Sequence, residues 1–83
     1  MPFVYIVECA DGSLYTGWAV DVEQRVKVHN TGRGARYTRM HGPVKLVYAE
    51  EQPDRVAAMK RELEIKRWPR AKKLKLIIRP YRK

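Results

Sequence analysis

Apolar residues follow one another from Phe3 through Val7, and that run predicts a strand over Phe3–Cys9. Asp11-Gly12 is a hairpin signal, and Leu14 to Val20 supplies the return strand. Asp21 then caps a helix, with Gln24 three residues on as in a capping box. Val22, Val26 and His29 fall on one face of that helix, and Asn30-Thr31-Gly32 ends it. Arg33 to Gly42, with three arginines and two glycines, reads as a loop, and Val44 to Ala49 as a third strand. Pro53 suits the first turn of a second helix running to Lys66, with Val56, Met59 and Leu63 as its core stripe. Pro69 breaks that helix and starts a short last one, with Ala71, Leu74 and Ile77 or Ile78 facing inward. The order is ββα-β-αα: an α+β fold in which helices flank a small three-stranded sheet. The 83 residues make a single domain, with a core over residues 3–78 and a basic tail over 79–83.

The length of the hairpin loop decides which side chains share a face. A two-residue loop at Asp11-Gly12 pairs Glu8 with Tyr15 and sends Tyr5 and Tyr15 to opposite faces. A three-residue loop, Ala10-Asp11-Gly12, pairs Val7 with Tyr15 and Tyr5 with Gly17, so both tyrosines share one face. Gly12 then occupies the left-handed position such a loop requires, and this is the expected register.

Charge changes the picture from a small packing module to a binder of polyanions. Lys and Arg number 18 against 9 Asp and Glu, a formal charge of +9. Residues 1–54 carry a net −1 and residues 55–83 a net +10. A basic segment of this kind attracts phosphate by counterion release, whatever the base sequence. The tail from Arg79 to Lys83 reads equally well as a solubilising end. Membrane adhesion is disfavoured, because the apolar residues are interleaved for a core rather than laid out as a lipid face. One cysteine, Cys9, excludes an intramolecular disulfide and a cysteine-rich zinc site. No apolar run reaches membrane-spanning length, and Met1-Pro2-Phe3 leads straight into strand sequence without a signal peptide. A cytoplasmic protein is therefore expected.

Five polar residues stand out: Tyr5, Tyr15, Arg25, His29 and Glu62. Arg25 and His29 are four apart on the first helix and so are surface neighbours. A guanidinium suits a phosphate, an imidazole moves a proton near neutral pH, and a carboxylate holds a hard divalent cation. Together these are the parts of a phosphodiester hydrolase. Each also has a structural reading. Either tyrosine can be strand packing, His29 can be a core residue, and Arg25 can pair with Asp21. Glu62 can pair with Lys66, and helical spacing does not choose between Glu62 and Glu64. Composition and spacing alone stop at a small basic nucleic-acid-binding domain.

The segments Val4-Tyr5-Ile6 and Tyr15-Thr16-Gly17 resemble the two halves of the GIY-YIG nuclease signature. Arg25 follows in the first helix, His29 four residues later, and Ala57 to Lys66 resembles the helix bearing the family's metal-binding glutamate. That alignment selects Glu62. Gly34 to Arg39 and Pro43 to Tyr48 resemble the small stand-alone bacterial members, the YhbQ-like group. The resemblance spans residues 3–78. It implies metal-dependent cleavage of DNA, with one Mg²⁺ or Mn²⁺ on Glu62. Tyr5 and Tyr15 would lie at the active site, with Tyr5 helping to deprotonate the water. Arg25 would stabilise the phosphate, and His29 would assist proton transfer or hold Tyr5. A metal and Arg25 close by would both favour the phenolate of Tyr5. The chain departs from the signature at Val4, in place of its first glycine, and at Thr16, in place of the second half's isoleucine.

Many family members carry a separate DNA-binding domain, for which 83 residues leave no room. Selection by DNA shape or strand state, in repair or processing, is therefore expected. Arg36, Arg39, Lys60, Arg61, Lys66 and Arg67 are the expected phosphate contacts, and Trp18 and Trp68 can stack on bases or pack. Two other readings compete with a stand-alone endonuclease or exonuclease. One is a DNA- or RNA-binding module without turnover, and the other is a subunit whose protein partner supplies specificity.

Overall fold

The computed structural model describes residues 1–31 and 43–78. The arginine-bearing loop with Arg36 and Arg39, and the basic tail, lie outside the described residues. Strand β1 (Phe3–Cys9) is the middle of an antiparallel sheet, flanked by β2 (Leu14–Ala19) and β3 (Val44–Glu51). Helix α1 (Val22–Asn30) joins β2 to β3, and α2 (Arg55–Lys66) and α3 (Arg70–Ile78) follow. This is the α+β, ββα-β-αα fold read from the sequence. Among the described residues, no helix is long and apolar enough to cross a membrane.

The central strand is covered on both sides, which is why its apolar residues do not alternate with polar ones. Tyr5, Val7 and Cys9 face one side, where Val22 of α1, Ala19 and Val44 close a core around them. Val4 and Ile6 face the other side, against Ala58 and Ile65 of α2 and Leu76 and Ile77 of α3. The hairpin has the three-residue loop. Gly12 sits at φ 86°, the Cys9 N–H donates to the Ser13 carbonyl at 2.8 Å, and Tyr5 pairs with Gly17. Asp11 tightens the loop by accepting from the Ser13 N–H at 3.0 Å. Asp21 caps α1 through the Gln24 N–H, and Asp54 caps α2 through the Ala57 N–H. Pro53 therefore precedes the second cap and is not in the first turn.

At the end of α1, the Asn30 side chain closes a two-way clamp on β3. It accepts from the Val44 N–H at 2.6 Å and donates to the Val44 carbonyl at 3.1 Å. The clamp fixes the helix that carries Arg25 and His29 against the far edge of the sheet. Thr16 lies opposite Ile6 on the α2 side, and its buried hydroxyl has no hydrogen-bond partner among the described residues. An isoleucine there would carry no such cost.

The rotation of α2 corrects the sequence reading. Val56, Met59 and Leu63, read as its core stripe, are 60, 49 and 53% exposed. The buried positions are Ala58 and Ile65, with Arg61 and Glu62 half-buried between them. The two sets lie about 200° apart around the helix, two residues out of phase. In α3, Ala71 and Leu74 are likewise exposed, and Leu76 and Ile77 pack inward. The helix rotation predicts that Ile65→Ala lowers stability by about 2–4 kcal/mol, whereas Leu63→Ala costs under about 1 kcal/mol. Urea unfolding of both variants checks this; equal losses would mean that α2 is turned the other way.

Candidate active site

Tyr5 extends across the sheet toward its cross-strand partner, Gly17. A Cβ at position 17 would stand 2.6 Å from the Tyr5 hydroxyl and 2.8 Å from its Cζ. No side chain fits there, so the last residue of Tyr15-Thr16-Gly17 is glycine for reasons of space. The tyrosine hydroxyl passes over β2 and meets His29 of α1, with a 2.9 Å hydrogen bond to Nε2. Both residues are buried, and the Tyr15 ring stands edge-on to the imidazole at 5.5 Å between centroids. His29 is thus both a core residue and a site residue.

An open cleft of about 530 Å³ lies on this face, lined by Tyr5, Tyr15, Arg25 and Glu62 among others. Four elements converge here. Tyr5 comes from β1, Tyr15 from β2, Arg25 from α1, and Glu62 from α2, which otherwise packs on the opposite face. Strand β2 is an edge, and α2 runs beside it, so its Glu62 reaches the front face. Glu64, two residues on, instead pairs with Arg61 at 2.9 Å. The fold therefore brings together four of the five singled-out residues in one cleft, with His29 behind Tyr5.

The electrostatics follow from burial. Loss of solvent raises the Tyr5 hydroxyl to about 12, although the Arg25 guanidinium beside it pulls the other way. Arg25 favours the Tyr5 phenolate as expected, and burial outweighs it. Tyr15 is also raised, by burial and then by the Glu62 carboxylate. His29 is lowered from 6.5, by burial first and the Arg25 charge second. At neutral pH the cleft therefore holds two protonated phenols and a neutral imidazole. Glu62 offers hard oxygen to a divalent cation, and among the described residues no three His, Cys, Asp or Glu side chains are gathered closely enough to hold a metal ion together. Such a set suits Mg²⁺, which commonly takes one or two carboxylates and completes its shell with water and substrate phosphate.

The expected phosphate contacts are spread over several surfaces. Lys66 is one helical turn beyond Glu62, 3.8 Å from its carboxylate and 5.7 Å from the Tyr15 ring centroid. It borders two residues that line the cleft without lining it itself. Lys60 is exposed and projects from the side of α2 opposite Glu62, and Arg67 is the exposed C-cap. Arg61 is committed elsewhere. Its Nε and Nη2 donate to Glu50 of β3 at 2.9 and 3.3 Å, and its Nη1 to Glu64. It is a bidentate tie between helix and sheet, not a free phosphate contact. Trp18 and Trp68 pack against the α2-side core, with Arg61 and Lys72 against the Trp68 ring. Sequence reading missed Lys73 of α3, a half-buried cation close enough to Lys66 to feel its charge.

The GIY-YIG catalytic domain profile matches residues 1–75. The chain belongs to the GIY-YIG family. UPF0213 proteins of Staphylococcus aureus strains Mu50 and N315 are each 59% identical over 75 residues, covering 90% of this chain and 92% of theirs. The solution NMR structure of UPF0213 protein BH0048 from Bacillus halodurans is 47% identical. It has a TM-score of 0.58 and the match covers 93% of this chain and 83% of that one. These are small GIY-YIG relatives of nearly the same length. The fold of the family is thereby shown for this chain, and family membership carries nuclease chemistry on nucleic acid as its general activity.

The close approach at Gly17 generates a prediction. Gly17→Ala should push the Tyr5 ring off His29 and cost about 1–3 kcal/mol of stability through overpacking. Thermal melting reads the stability. NMR titration of the His29 ring reads the broken contact as a changed histidine pKa. An unchanged titration would show that Tyr5 can move aside without leaving His29.

Proposed function

We propose that this chain is a divalent-metal-dependent nuclease that hydrolyses DNA phosphodiesters and selects by strand state or branching rather than base sequence. The observation that carries it is the convergence of Tyr5, Tyr15, Arg25 and Glu62 from four elements on one open cleft. Simple phosphate binding does not require a carboxylate among cations, nor a buried tyrosine–histidine pair behind them.

The attacking water sits at the Tyr5 oxygen. Burial raises Tyr5 to about 12, so the chain's own residues leave it protonated at neutral pH. The 2.9 Å bond to His29 offers a shorter route. With the ring proton on Nδ1, Nε2 accepts the Tyr5 proton as Tyr5 takes one from water. Tyr5 thus relays the proton, and His29 stores it. Arg25 donates to the phosphate oxygens that gain charge in the transition state, and Tyr15, kept protonated, donates beside it. Glu62 holds Mg²⁺ or Mn²⁺, which supplies further charge neutralisation at the phosphate. A role in DNA repair or processing in the cytoplasm accords with a small basic domain of this kind.

The direct test incubates the protein with labelled single-stranded, duplex, flapped and branched DNA, with Mg²⁺, Mn²⁺ or EDTA. Metal-dependent cutting is expected, with Glu62→Gln and Arg25→Ala each lowering it by about 10²-fold or more while DNA binding survives. Binding without cutting on every substrate would favour the non-catalytic module or the partner-dependent subunit.

The pH profile tests the relay. His29 must be neutral, and its value lies below 6.5, so the rate should be level from pH 7 to 8 and decline only on acidification below that value. His29→Phe should abolish this acid limb and lower the rate. A direct phenolate base would instead give a rate rising tenfold per pH unit through this range. Single-turnover rates between pH 5 and 9 separate the two.

A further inference from the structure

We infer that Lys66 is the resident counter-cation of Glu62, a positioning residue that a divalent ion must displace and that thereby couples metal binding to DNA binding. The inference rests on the reading of Glu62 as the metal ligand. Lys66 follows Glu62 by four on the same face of α2, with Nζ 3.8 Å from the carboxylate. A solvent-exposed pair at this spacing is a weak surface interaction. Here the carboxylate is only 19% exposed and lines the cleft with Tyr5, Tyr15 and Arg25. The ammonium lies 5.7 Å from the Tyr15 ring centroid, within cation–π range. It stands beside two residues that line the cleft, one of them on a strand and not on its own helix.

A divalent ion arriving at Glu62 meets an anion already neutralised by Lys66, with the Arg25 charge close by. Metal binding without DNA is therefore weakened. A phosphate of the bound strand offers Lys66 another anion, and its flexible four-carbon stem lets it swing across. Lys73 lies nearby with the same charge, which adds to the pull of phosphate on this pair. Once Lys66 has moved to the strand, Glu62 is free for the metal. DNA then tightens metal binding, and by linkage metal tightens DNA binding.

The test needs no turnover. The full chain is titrated with MnCl₂ in the absence of DNA, and free Mn²⁺ is followed by electron paramagnetic resonance. Lys66→Met should bind Mn²⁺ about fivefold more tightly than the unaltered protein, the upper range for an ion pair of this exposure. Lys66→Arg should retain the original affinity. Lys45→Met removes the same charge from β3, on the sheet edge away from β2, and should change affinity by less than about twofold. Equal tightening by Lys66→Met and Lys45→Met would reduce the effect to net charge and overturn the inference. So would no tightening in Lys66→Met. Glu62→Gln, alone and combined with Lys66→Met, separates the failures. Binding that requires Glu62 but ignores Lys66 sinks the counter-cation alone, whereas binding that survives Glu62→Gln sinks both it and the metal-ligand reading.

Discussion

The site depends on one close approach, the Tyr5 side chain against the bare Cα of Gly17. Tyr5 is in the middle strand of the sheet and would ordinarily be a core residue. The missing side chain at position 17 gives its ring a path over β2, and the hydroxyl ends on His29. That path exists in one register alone. A slip of one residue would put a tryptophan or a threonine opposite Tyr5 and turn Tyr15 to the other face. The hairpin loop is therefore part of the active site, although no loop residue lines the cleft. Gly12, in the left-handed region at φ 86°, sets the loop length that sets the register.

A second constraint fixes the other half of the site. Glu62 arrives from a helix whose main packing is on the back of the sheet, so a small rotation of α2 would withdraw it from the cleft. Ile65 and Ala58 hold the helix by burial, and Arg61 holds it by its fork on Glu50 of β3. Glu50 also accepts from the Tyr48 hydroxyl and from Gln52, so the carboxylate that anchors α2 is itself anchored. Arg61 thus keeps the next residue along the helix, Glu62, aimed over the edge of β2.

The same arrangement explains what the sequence could and could not tell. The hairpin, its register, the cap at Asp21 and the order of elements rest on local rules, and local rules read correctly here, whereas the cap at Asp54 escapes them behind the signal of Pro53. The face of α2 does not follow them either. Its inward side carries Ala58, Arg61, Glu62 and Ile65: one small residue, two charged ones and a single large apolar one. Its outward side carries Val56, Met59 and Leu63, so hydrophobic periodicity points the wrong way. Function and anchoring placed charges where core residues ordinarily stand. The resemblance to the family's glutamate helix selected Glu62 where spacing was neutral. The same spacing offered Lys66 as an ordinary helix partner, and the tertiary contact with Tyr15 shows that it also stands next to a cleft residue from another element.

Burial also decides what kind of chemistry the tyrosines can do. A surface cluster of two tyrosines, an arginine and a glutamate would titrate near ordinary values. Here desolvation leads for Tyr5, Tyr15 and His29 alike, and in each case it disfavours the charged form. The side chain with the position of a base is therefore the one least able to lose its proton, and the one behind it is a neutral acceptor. These are complementary defects. A buried phenol hydrogen-bonded to a neutral imidazole can pass a proton without ever becoming a free phenolate, so the desolvation that raises Tyr5 ceases to be an obstacle. In the proposed relay the charge that develops is an imidazolium next to Arg25, whose charge lowers the His29 value. The same burial that closes the core around Tyr5 thus makes Tyr5 and His29 act as one group.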